Sequence, residues 1–197
     1  NATSLELQFT KMMDGRIPDK SFDFELMDDA GKVLQTVKSM GSTVSFAPLS
    51  FNEVGEHIYY AHETNTTDST IDYDTDLIQI KVSVTADPDD ATKLKAMAQI
   101  TGDTTFNNTS KPASLTISKK VEGIGDQSRS FTFDVMLTDR DNKPVNGSFV
   151  TDVSDGTQSS VTFVDGKAQV TIPANARLTI HGLDAYTSYQ VREPVDA

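Results

Sequence analysis

The sequence has no cysteine and no tryptophan. Without cysteine there can be no disulfide, the usual reinforcement of small secreted β domains. Such a chain either works in a reducing compartment or is stapled by another kind of bond. No apolar run is long enough to cross a bilayer, no secretory leader is read at the start of these residues, and Asn1-Ala2-Thr3-Ser4 reads as the interior start of a mature or excised piece. Basic residues are scarce. Lys and Arg number 17 against 29 Asp and Glu, a net charge of −12. A phosphate backbone would be repelled, so nucleic acid is excluded as a partner. The motifs of turnover enzymes are missing too, with no G-x-S-x-G elbow, no G-x-G-x-x-G and no Walker loop. His57, His62 and His181 have neither metal spacing nor a cysteine near them. A conventional enzyme, a metal centre and a cofactor are therefore not expected.

What remains is the texture of β structure. The chain is 37% hydrophobic, with ten Phe and five Tyr, and Pro and Gly interrupt short alternating runs. Acidity is lopsided: residues 1–110 carry 8 basic and 18 acidic side chains, residues 111–197 carry 9 and 11. Together with the stiff link Lys111-Pro112-Ala113, this composition shift predicts two domains, 1–110 and 111–197. The fold class is all-β, a tandem of immunoglobulin-like β-sandwiches.

The strand signals repeat. Leu5–Met13 alternates, and Leu5, Leu7 and Phe9 share a face on which Lys11 is the next residue. Phe22–Leu26 and Val33–Val37 flank an Asp-rich hairpin turn. His57–Glu63 and Leu77–Val84 follow, Leu94–Ile100 pairs back, and Phe106–Thr109 closes the first domain. In the second domain Leu115, Ile117 and Lys119 share a face, and Phe131–Val135 answers Phe22–Leu26. The remaining strands are Ser160–Val164, Ala168–Ile172, Arg177–Ile180 and Tyr189–Glu193. Tyr189 precedes Glu193 by the same interval as Tyr59 precedes Glu63. Only four residues follow Glu193, against nearly fifty between Glu63 and the end of the first domain. The second domain is therefore expected to stop before its last strands.

A lysine facing a β core needs a partner or must lose its proton, because burying a lone ammonium is costly. A desolvated neutral lysine is a nucleophile. Glu63 ends an inward-facing strand, and Asn107 and Asn108 offer carboxamides on the closing strand. Attack by the amine on a carboxamide, with the carboxyl shuttling protons, would release ammonia and leave a Lys–Asn amide between first and last strands.

Residues 5–110 resemble the isopeptide-linked pilin domain of Gram-positive surface proteins. The resemblance rests on Phe9-Thr10-Lys11, Phe22–Leu26 with its hairpin, Gly31–Val37, Ile58–Glu63, Tyr73-Asp74-Thr75 and Phe106-Asn107-Asn108-Thr109. It implies a bond from Lys11 to Asn108 catalysed by Glu63, with Asn107 as the fallback electrophile. Residues 113–197 resemble a related surface-protein domain through Leu115–Gly123 and Ala176–Glu193. That resemblance implies Lys119 as nucleophile and Glu193 as catalyst, with the partner asparagine of Lys119 not in this chain; Asn142, Asn146 and Asn175 read as turn residues. The function implied is a pilus backbone or adhesin stalk, outside the cell, on a Gram-positive cell wall or pilus. Its partners would be other pilin or adhesin subunits, neighbouring domains of the same protein or a host surface ligand.

Two rivals follow from other stretches. The loop around Pro48 and the polar 64–70 loop would serve a ligand-binding adhesin module that recognises a host protein or glycan. Asp72-Tyr73-Asp74-Thr75-Asp76 begins like a calcium loop, and Asp87, Asp89 and Asp90 add acids, which would suit a calcium-dependent surface sandwich. The loop glycine and the closing glutamate are missing, so a solvated acidic edge is the better reading.

Overall fold

In the computed structural model, residues 2–194 are described; Asn1 and residues 195–197, the outer ends of the two expected domains, lie outside them. The described residues form strands and turns without a helix, and no helix is long and apolar enough to cross a membrane. The chain divides into two compact units between Ser110 and Lys111.

Among the described residues the first unit has eleven strands: β1 (Thr3–Leu5), β2 (Gln8–Met13), β3 (Asp23–Asp28), β4 (Val33–Lys38), β5 (Thr43–Ser45), β6 (Leu49–Phe51), β7 (Gly55–Thr64), β8 (Ile71–Asp72), β9 (Ile78–Ala86), β10 (Leu94–Thr101) and β11 (Thr105–Ser110). One sheet runs β10-β9-β7-β3-β4, a second runs β5-β2-β11-β8, and β1 pairs with β6 alone. The opening stretch is thus two strands rather than one. The chain changes partner at Glu6-Leu7, from β6 to β5, while Leu7, Phe9, Lys11 and Met13 keep a common inward parity. A parallel pairing closes the second sheet, with β11 beside β2, Phe106 opposite Lys11 and Asn108 opposite Met13.

The period-2 patterns bury one face of each sheet. Phe24, Leu26, Ile80 and Val82 from the larger sheet meet Phe9, Val44 and Phe106 from the smaller one. The Phe24 and Phe106 rings lie 5.0 Å apart, and Phe9 packs on Phe106 at 5.9 Å.

The described residues of the second unit form seven strands: β12 (Ala113–Ser118), β13 (Ser130–Thr138), β14 (Gly147–Val153), β15 (Gln158–Phe163), β16 (Lys167–Pro173), β17 (Arg177–Leu183) and β18 (Ser188–Arg192). They form the sheets β12-β17-β14-β15 and β16-β13-β18 around Phe133, Val135, Leu137, Phe163, Ile172 and Ile180. β14 is absent from the strand pattern read from sequence. It opens directly after Asn146-Gly147, a turn signal, and its inward side includes a buried threonine, Thr151. β12, the counterpart of β2, has a single neighbour, β17, and its other edge is free among the described residues.

Candidate cross-linking site

β2 alternates strictly: Gln8 and Thr10 face solvent, Phe9, Lys11 and Met13 face the core. Lys11 is consequently carried inside and is fully buried. β11 does the same with amides. Phe106 and Asn108 point inward, Asn107 outward, and Asn108 is fully buried. Of the two candidate asparagines only Asn108 reaches the core. From the opposite sheet β7 brings Glu63, buried and paired in register with Phe24 of β3.

These three side chains meet between the sheets. Lys11 Nζ donates to Glu63 Oε2 at 2.8 Å. Asn108 Nδ2 donates to Glu63 Oε1 at 2.7 Å. One carboxylate therefore holds the amine with one oxygen and the carboxamide nitrogen with the other. The Lys11 ammonium sits 4.7 Å above the centre of the Phe22 ring. Burial pushes the Lys11 pKa down from its usual value, opposed by the hydrogen bond and charge of Glu63 and by the charge of Asp74. The position thus favours the neutral, nucleophilic amine more than water would.

Sequence reading did not identify Asp74 as part of this site. Its backbone N–H donates to Asn108 Oδ1 at 2.8 Å. Its carboxylate accepts from the backbone N–H of Asn107 at 2.7 Å and of Asp76 at 2.9 Å. Of the acids read as a possible calcium loop, Asp74 is thus engaged with neighbouring main chain. Asp87 and Asp90 likewise accept from the backbone N–H groups of Asp89 and Thr92. Among the described residues no group of three or more His, Cys, Asp or Glu could hold a metal ion.

The second unit repeats half of the arrangement in a wetter setting. Lys119 follows β12 by one residue and Glu193 follows β18 by one. Lys119 Nζ donates to both Glu193 oxygens, at 3.0 and 2.8 Å, and lies 4.3 Å from the Phe131 ring centre. Their side chains are 22% and 41% exposed, where those of Lys11 and Glu63 are 0%. Lys119 therefore leans on the core edge rather than entering it, because its strand has already ended. Asn175 is occupied elsewhere, accepting from the Val121 N–H and donating to Gln127. Asn142 and Asn175 sit in left-handed turns, with φ of 59° and 61°.

Two parallel end strands that present a buried lysine and a buried asparagine to one glutamate define a class of β domain. Residues 7–111 match the family described as the Spy0128-like isopeptide containing domain. The match covers more than half of the chain, which belongs to this family. Residues 113–196 match a domain of unknown function, DUF7601. Over 80 residues the chain is 34% identical to the pilus tip adhesin Cpa of Streptococcus pyogenes; this spans 40% of the chain and 11% of that relative. Among solved structures, the major pilin from Streptococcus pyogenes aligns with 99% of this chain and 83% of its own at 17% identity, with a TM-score of 0.46. The pilus-presented adhesin Spy0125 (Cpa) aligns with 67% of this chain and 29% of its own at 20% identity, with a TM-score of 0.38.

Proposed function

We propose that the first unit performs one reaction on itself, joining Lys11 to Asn108, and that the chain serves as a pilus shaft or adhesin stalk. The observation that carries this reading is Glu63 held between the Lys11 amine and the Asn108 amide nitrogen. Glu63 takes a proton from Lys11, and the free electron pair of Nζ attacks Cγ of Asn108. The carbonyl π pair moves onto Oδ1. The protonated Glu63 then supplies a proton to Nδ2, and the carbonyl re-forms as the C–N bond to Nδ2 breaks. The surplus proton on Nζ returns to Glu63, and ammonia departs carrying Nδ2. The product is a Lys–Asn amide, and the bond closes a loop from residue 11 to residue 108.

Such a bond supplies an extracellular protein without cysteine with a covalent staple that no reductant opens. This suits a place on the wall or pilus of a Gram-positive bacterium, among other pilin or adhesin subunits. In the second unit, Lys119 and Glu193 are the nucleophile and acid of a like reaction.

Intact mass tests the reading. Each bond removes one ammonia, about 17 Da. The chain should be lighter than its sequence by one such unit, and peptide mapping should recover a branched Lys11–Asn108 pair. Glu63→Ala should restore the full mass. Full mass in the unaltered chain sinks the staple, and a deficit that persists in Glu63→Ala removes Glu63 from the chemistry.

A further inference from the structure

Two hydrogen bonds fix the Asn108 carboxamide, one at each end. Nδ2 donates to Glu63, and Oδ1 accepts from the backbone N–H of Asp74. Rotating the amide by half a turn would set a carbonyl oxygen against a carboxylate and an NH2 against an N–H. Both contacts would be repulsive, so the pair of partners selects the orientation that aims the leaving nitrogen at the acid. The same N–H points at the oxygen on which negative charge develops when Nζ attacks Cγ.

This donor comes from the segment between β8 and β9 rather than from a sheet ladder, so something must hold it. The Asp74 side chain does so. Oδ2 accepts from the backbone N–H of Asn107, the neighbour of the reacting asparagine, and Oδ1 accepts from the backbone N–H of Asp76. The segment grips β11 at two successive residues, once through the Asp74 carboxylate and once through its amide.

We propose that Asp74 is a positioning residue of the cross-linking reaction, its carboxylate clamping β11 so that its own N–H acts as the oxyanion donor to Asn108. The proposal rests on the Lys11–Asn108 reading above. Removing a well-placed oxyanion donor typically slows acyl transfer by about 100- to 1,000-fold. Asp74→Ala keeps the N–H but loses the clamp, so the expected loss is smaller, on the order of 10- to 100-fold. Asp74→Asn keeps one carbonyl oxygen for the Asn107 N–H and should recover most of the rate.

The test follows intact mass with time in protein purified soon after induction, for the unaltered chain, Asp74→Ala and Asp74→Asn. The unaltered chain should carry the ammonia deficit at the first time point. Asp74→Ala should begin at full mass and convert slowly, and Asp74→Asn should lie near the unaltered chain. Thermal melting of Lys11→Ala with and without Asp74→Ala, neither able to cross-link, separates positioning from folding. Equal melting with slowed bonding supports the proposal. Bonding at the unaltered rate in Asp74→Ala overturns it, as does a fall in melting temperature large enough to explain the slowing. A full-mass unaltered chain instead brings down the cross-linking reading itself, and this inference with it.

Discussion

Lys11 is an amine whose surroundings work against its charge. Burial lowers its pKa from 10.5, and Glu63 and Asp74 only partly oppose the shift. In a chain that cannot cross-link, such as Asn108→Ala, this has a definite sign. Between the lowered folded-state pKa and 10.5 the unfolded chain binds more protons than the folded one, so stability rises with pH across that window. Lys11→Met in the same background should abolish this rise, as denaturant titrations from neutral pH to pH 10.5 would register. At this scale much of the candidate site's geometry is legible in the sequence. Parity counted from Leu5 sends Lys11 inward, and parity counted from Phe106 sends Asn108 inward and Asn107 out. Asp74 is not legible. Its contribution to Asn108 comes from a main-chain N–H that every residue but proline owns, and its carboxylate sits in an acidic run that reads as solvated.

Elements show where pattern gives way to partner choice. Alternation marks β2, β3, β7 and β9, yet nothing in the Gln8–Met13 pattern says that β11 will lie beside it in parallel. That pairing is a contact between residues nearly a hundred positions apart. It is set by Phe106 entering the cluster of Phe9 and Phe24. In the Lys11→Ala background, Phe106→Ala should lower the unfolding free energy by about 3–5 kcal/mol. Val150→Ala, at a residue 60% exposed, should change it by less than about 0.5 kcal/mol. Chemical denaturation checks both. The short strands β6 and β8 and the polar β14 escape sequence reading for physical reasons. β6 and β8, three and two residues long, are too short for an alternation to show, and β14 sets a threonine, Thr151, at its buried position.

For the whole molecule, the proposed bond from residue 11 to residue 108 would close a loop that spans nearly all of the first unit and so restrict its unfolded state. For a loop of this length the chain-entropy argument developed for disulfides gives about 4–5 kcal/mol. Asn108→Ala should lower the melting transition of the first core by a corresponding amount and leave that of the second core in place, which calorimetry resolves. The two cores are built from separate residue sets, Leu7 to Phe106 and Leu115 to Leu183. The division into two compact units is legible from the charge shift and the strand repeat, because each half carries its own apolar faces. The half-exposed Lys119–Glu193 pair is harder to foresee. Parity predicts the direction of a side chain and not the residue at which its strand ends.

The parallel register of β2 and β11 also decides where tension would travel. Pulled by its two ends, the first unit is gripped at the start of β2 and at the end of β11, at opposite ends of the same pair of strands. With the Lys11–Asn108 amide closed, the load passes from β2 into the lysine side chain and out along β11. Residues 12–107 hang outside that path as an unloaded loop. Stretched out, they would add roughly 300 Å of slack. Behind the proposed bond that length would be withheld, and the first unit would transmit a pull as an inextensible link.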